Sequence, residues 1–123
     1  MASKKILIVE DDMQLQSALK DKFSIEGFVA IVASDGQEGL QMAKDEKPDL
    51  VLVDILLPKV DGITMAKAIK NLKPTPLMMF LTNVSDIEHI AEASDAAYSD
   101  YLVKSDWNLD DIVKKVKEKL EAN

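Results

Sequence analysis

The chain has 123 residues, 47% of them apolar and 30% charged, which suits a single globular domain over 1–123 and excludes a disordered chain. With no cysteine and one histidine it can build neither disulfides, thiolate metal sites nor a multi-histidine zinc site, and it suits a reducing, cytoplasmic setting. Its 15 basic and 22 acidic residues leave a net charge of −7, which disfavours direct nucleic-acid contact.

The first apolar run reaches acid at Glu10, too soon for a signal peptide, and no run approaches the roughly 20 residues of a membrane span. That run, Lys5-Ile6-Leu7-Ile8-Val9, is the first predicted strand. It is short and nearly unbroken, as in a strand buried on both faces of a parallel sheet. A helix follows with Leu15, Ala18, Leu19 and Phe23 on one face. The second strand is Phe28–Val32, and Leu40 and Ala43 mark the second helix. Leu50–Val53 is the third strand, and the third helix starts near Gly62 with Met65, Ala66 and Ile69 inward. Leu77–Leu81 is the fourth strand, where Met78 and Met79 serve as core filler.

Ser85-Asp86-Ile87-Glu88 is a capping-box pattern that opens a fourth helix. Ile87, Ile90 and Ala91 form its apolar face, and His89 lies on its solvated side. Tyr101–Val103 is the fifth strand. The last helix stripes Leu109, Ile112, Val116 and Leu120 inward and turns Lys114, Lys115, Lys117 and Lys119 to water. Asp110 and Asp111 at its start and Lys119 near its end favour its macrodipole.

Strict alternation of five strands and five helices predicts a doubly wound parallel sheet of flavodoxin-like order 2-1-3-4-5, flanked by helices on both faces. No linker or repeat interrupts the pattern, and no second domain is expected after the last helix. Ligands of such sheets sit beyond the carboxyl ends of the strands, near the switch between strands 1 and 3. There the sequence gathers Glu10-Asp11-Asp12, Asp54, Thr82 and Lys104. Singly each has a plain reading: Asp12 as a helix N-cap, Thr82 as structural, Lys104 as solvated. Together they suit phosphoryl chemistry. Crowded carboxylates repel, a cost relieved by protonation or by a cation, and hard oxygens with few side chains suit Mg²⁺. A carboxylate there can attack a phosphoryl group, with the metal, the ammonium and the hydroxyl balancing charge on the transferring oxygens.

Ile8-Val9-Glu10-Asp11-Asp12, Leu52-Val53-Asp54-Ile55-Leu56-Leu57-Pro58 with Asp61-Gly62, Phe80-Leu81-Thr82 and Tyr101-Leu102-Val103-Lys104 together resemble a response-regulator receiver domain of two-component systems. The stretch from Ala33 to Leu40 is similar to the start of that family's second helix. The resemblance covers essentially the whole chain. It implies a phosphoprotein of signal transduction that takes a phosphoryl group onto Asp54 from a sensor histidine kinase or a histidine phosphotransfer protein. Asp11 would ligate Mg²⁺ directly and Glu10 through water, with Asp54 and the Leu56 carbonyl completing the metal set. Lys104 would pair with the aspartyl phosphate, and Thr82 and Tyr101 would form the switch pair.

Output would pass to a downstream target protein through the fourth predicted helix, fifth strand and last helix. The chain would catalyse only its own phosphorylation and dephosphorylation. Four departures stand out. Ser105 replaces the family's usual Pro after Lys104, so a trans Lys104–Ser105 peptide is expected. The segment before the last helix is one residue longer than usual, and Ser94-Asp95-Ala96-Ala97 lacks the usual Gly. Asn83 stands where a small residue is common.

Two other classes compete. An aspartyl-nucleophile phosphatase similar to the haloacid-dehalogenase family would need an acid two residues after the nucleophile, where this chain has Leu56. A flavodoxin would need a phosphate loop after strand 1, where Glu10-Asp11-Asp12 would repel the phosphate.

Overall fold

Every second residue of a strand points the same way, and in the first strand both directions are apolar. β1 (Lys5–Val9) buries Ile6 and Ile8 on one side and Leu7 and Val9 on the other, so it needs a sheet covered on both faces. The computed structural model describes residues 3–54, 62–82, 100–103 and 108–121. β2 (Val29–Ala33), β3 (Leu50–Asp54), β4 (Leu77–Thr82) and β5 (Asp100–Val103) join β1 in a parallel sheet of order β2-β1-β3-β4-β5. This is the predicted order.

α1 (Met13–Ile25) and α4 (Leu109–Glu121) cover the face carrying Ile6, Ile8, Leu50, Leu52, Met79 and Leu81. α2 (Gly36–Glu46) and α3 (Gly62–Ile69) cover the face carrying Leu7, Val9, Val51, Val53, Met78 and Phe80. Met78 and Met79 are thus core filler on opposite faces, as expected. The helix expected from Ser85 lies outside the described residues, as do His89 and the Lys104–Ser105 peptide.

Contacts between elements shift several boundaries and faces. β2 begins at Val29 because Phe28 closes the end of α1: its N–H donates to the Phe23 carbonyl, and the two rings meet edge to face with centroids 5.5 Å apart. Gly27, at φ 96°, makes the left-handed turn between them. Asp12 is the N-cap of α1, its Oδ1 accepting from the N–H groups of Gln14 and Leu15. The buried stripe of that helix is Gln16, Leu19 and Phe23, while Leu15 and Ala18 are half-buried. In α2 the most buried positions are Gly36, Gly39 and Ala43, and Leu40 packs at the core's margin. A Cβ on Gly39 would stand 2.9 Å from Met65 Sδ and 2.9 Å from Val9 Cγ2, so the helix lies close against β1 and α3.

α4 opens with a reciprocal cap, Asn108 Oδ1 accepting from the Asp111 N–H at 2.8 Å. Its lysines are not all solvated. Lys117 pairs with Glu26, and Lys22 pairs with Asp110, tying the end of α1 to α4. The bond from Lys117 holds the Glu26 carboxyl below its ordinary range, and the bond to Asp110 raises the Lys22 ammonium.

Candidate functional site

Ile8 lies opposite Leu52 and Val9 opposite Val53, so the next residues, Glu10 and Asp54, stand side by side at the ends of the two central strands. The two-residue period gives Glu10 the sheet face of Ile6 and Ile8, and Asp54 that of Leu50 and Leu52. Asp11 starts the turn beyond β1. One carboxylate oxygen from each of Glu10, Asp11 and Asp54 lies within 4.8 Å of the others. Glu10 and Asp54 are buried, at 0% and 5% exposure, whereas Asp11 faces solvent. The cluster sits between β1 and β3, where the strand order reverses.

Several hydrogen bonds hold the turn that carries the acids. The Glu10 N–H donates to the Ala33 carbonyl at 3.0 Å, extending the β1–β2 ladder by one residue. Glu10 Oε2 accepts from the Asp12 N–H at 3.1 Å, and the Asp12 carbonyl accepts from the Gln16 N–H at 2.9 Å. Beneath the turn lies the Gln16 side chain, 4% exposed, donating from Nε2 to the Glu10 carbonyl at 2.9 Å, the Ala33 carbonyl at 3.2 Å and Ser34 Oγ at 3.2 Å. Sequence reasoning missed this residue. Its signal is a polar side chain three places before Leu19 and seven before Phe23, on the buried stripe.

Three hard oxygen donors converging at the end of a sheet fit a small divalent cation. Two oxygens bound to one Mg²⁺ lie at most about 4.2 Å apart. A set spread over as much as 4.8 Å therefore suits an ion that touches one or two carboxylates and reaches the rest through water. Of the other predicted residues, Thr82 ends β4 one place beyond Leu81, the partner of Asp54. Tyr101 lies in β5 opposite Phe80. The Thr82 and Tyr101 side chains, Leu56, Asn83, Val84 and Lys104 lie outside the described residues.

The sequence profile of the response regulator receiver domain family matches residues 6–117. The chain belongs to that family. The receiver is 39% identical over 100 residues to the transcriptional regulatory protein CpxR of Escherichia coli, covering 81% of this chain and 42% of CpxR. It is 35% identical over 103 residues to the alkaline phosphatase synthesis transcriptional regulatory protein PhoP of Bacillus subtilis, covering 83% of this chain and 42% of that protein. The receiver thus spans about two fifths of the length of these relatives.

A CheY-like receiver domain protein from Methanospirillum hungatei superposes with a TM-score of 0.89 at 31% identity, covering 98% of this chain and 96% of that one. A putative response regulator from Chloroflexus aurantiacus gives 0.87 at 30% identity, covering 98% and 99%. The fold is therefore the flavodoxin-like, CheY-like α/β fold with a parallel sheet. Two relatives are named as transcriptional regulators, so the exclusion of nucleic-acid contact, drawn from net charge alone, finds no support in them. Among the described residues no helix is long and apolar enough to cross a membrane.

Proposed function

We propose that this receiver takes a phosphoryl group onto Asp54 from the phosphohistidine of a sensor kinase or phosphotransfer protein, and that the modification changes its contacts with a downstream target protein. The observation that carries this reading is the convergence of Glu10, Asp11 and Asp54 at the carboxyl edge, with Asp54 buried on the central strand β3. A carboxylate oxygen of Asp54 attacks phosphorus, the P–N bond to the imidazole breaks, and an aspartyl phosphate forms. The imidazole nitrogen leaves with the electron pair of that bond and takes up a proton.

Glu10, Asp11, Asp54 and the Leu56 carbonyl would hold Mg²⁺. When bound, the ion supplies positive charge beside the transferring oxygens. The family resemblance implies that Lys104, next in sequence after Val103, would supply the matching charge and that Thr82 would supply a hydroxyl to the phosphoryl group. Thr82 and Tyr101 belong to neighbouring strands, at the end of β4 and in β5, which suits a switch pair. The output face would be built from the fourth predicted helix, β5 and α4. Receiver domains are signalling modules and not turnover enzymes, and Leu56 at the second position after Asp54 offers no proton for external substrates.

The test is incubation with Mg²⁺ and a small acyl-phosphate donor, followed by intact mass. The wild type should gain one phosphoryl group, Mg²⁺ removal should suppress the gain, and Asp54→Asn should abolish it. A wild type that stays unmodified, or an equal adduct on Asp54→Asn, contradicts the reading.

A further inference from the structure

We infer that Gln16 is a positioning residue for the acidic site: its buried amide fixes the peptide plane that aims Glu10 and Asp11 at Asp54. The inference rests on the cation-binding reading of that cluster and adds to it a residue which itself touches neither cation nor phosphoryl group.

The side-chain nitrogen of Gln16 faces two backbone carbonyls, which can only accept, so the amide orientation follows from its partners. Two amide hydrogens serve three acceptors, and the shortest contact, 2.9 Å, goes to Glu10. The Glu10 backbone is therefore held at both ends. Its N–H is tied to Ala33, and its C=O is tied to Gln16. The Glu10 carbonyl belongs to the rigid plane that joins it to Asp11. If that plane tilts, the Cα–Cβ direction of Asp11 tilts with it, and so does the geometry of the carboxylates that lie within 4.8 Å of one another.

The same amide reaches the Ala33 carbonyl and Ser34 Oγ, so the ends of β1 and β2 share one clamp, set from the first full turn of α1. Burial makes the clamp specific. At 4% exposure little water can replace the amide, and an apolar side chain there would leave the Glu10 carbonyl without this donor. Ser34 is the dispensable acceptor, because removing its hydroxyl leaves both amide hydrogens to the carbonyls.

The experiment is calorimetric titration of the full chain with MgCl₂, with urea unfolding in EDTA on the same samples. Gln16→Met keeps length and volume but loses the donor, and its Mg²⁺ affinity should fall about tenfold, the usual cost of disturbing a residue that orients a metal ligand. Ser34→Ala should bind as the wild type does. Leu19→Val, in the same helix and in the core, should lose a similar amount of urea stability while keeping wild-type affinity. If Gln16→Met leaves too little folded protein, Gln16→Asn withdraws the amide by one methylene and gives the same readout. Wild-type affinity in the Gln16 variant, or an equal loss in Leu19→Val, overturns the inference alone. A wild type that gives no Mg²⁺ signal overturns the cation site, and the inference falls with it.

Discussion

Replacing Asp11 with Asn should move stability in opposite directions with and without Mg²⁺. The carboxylate oxygens of Glu10, Asp11 and Asp54 lie within 4.8 Å of one another. At that separation two unit charges repel by about 0.9 kcal/mol in a water-like medium and about 3.5 kcal/mol at an effective dielectric of 20. Asp11 is exposed, so the lower figure applies to each of its two pairs, and neutralising it relieves about 1–2 kcal/mol in metal-free protein. With an unfolding entropy of about 2.1 cal/mol/K per residue, each kcal/mol shifts the Tm of a chain of 123 residues by about 4 °C. Asp11→Asn should therefore melt about 4–8 °C above the wild type in EDTA at low salt. The gap should close as added salt shortens the screening length from about 30 Å to about 8 Å.

Saturating Mg²⁺ should reverse the order. Binding to the native state alone stabilises by about 2.7 kcal/mol at 100 times the dissociation constant, and the variant, short of one ligand, gains less at any given concentration. Circular-dichroism melts of both proteins in EDTA and in Mg²⁺ read all four states. A variant that melts at or below the wild type in EDTA, or one with the full Mg²⁺ response, would refute the reasoning.

Gly39→Ala sets about 1–3 kcal/mol of overpacking against Val9 and Met65 against a helix-propensity gain of about 1 kcal/mol, so urea unfolding should show a net loss near 1 kcal/mol. A more stable variant would show that α2 can back away from β1. Glu26, held below its ordinary range by Lys117, contributes stability above its unfolded pKa and loses it as pH falls through the folded value. The urea midpoint of wild type should thus exceed that of Glu26→Gln slightly near about pH 7, and the difference should vanish in acid and in high salt. A difference that survives both would point to packing instead. The phosphoryl group on Asp54 should be long-lived: the family resemblance implies that the residues two places after Asp54 and two places after Thr82 influence hydrolysis, and here these are Leu56 and Val84, which can neither orient nor deprotonate water. Its loss after donor removal should be faster in Leu56→Asn/Val84→Glu, and slower loss would refute the water-positioning account.

Strand alternation was legible because its causes are local. Unbroken apolar runs need a sheet buried on both faces, and the acids at their ends mark the carboxyl edge. From there the β1–β3 register sets Glu10 beside Asp54, and the N-cap at Asp12 is legible from its residue type and its place between strand and helix. What stayed hidden depends on contacts distant in sequence. Gly36, Gly39 and Ala43 are a poor apolar stripe by type, yet they are the buried face of α2 because that helix lies so close to β1. The Lys117–Glu26 pair joins residues 91 places apart, so a lysine that looks solvated by helical spacing is engaged. Gln16 was passed over for a related reason. A lone polar residue on an apolar face looks like noise until the two carbonyls it bonds, one of them 17 places away, are seen.

The central claim is that Asp54 is the residue that carries the phosphoryl group. After incubation with Mg²⁺ and an acyl-phosphate donor, borohydride reduction converts an aspartyl phosphate to homoserine, which peptide mapping can locate. The account predicts homoserine at position 54 of the wild type, dependent on both donor and Mg²⁺, and unmodified Glu10, Asp11 and Asp12. Homoserine at one of the other acids, or none at all in a protein that has gained phosphate, would contradict it.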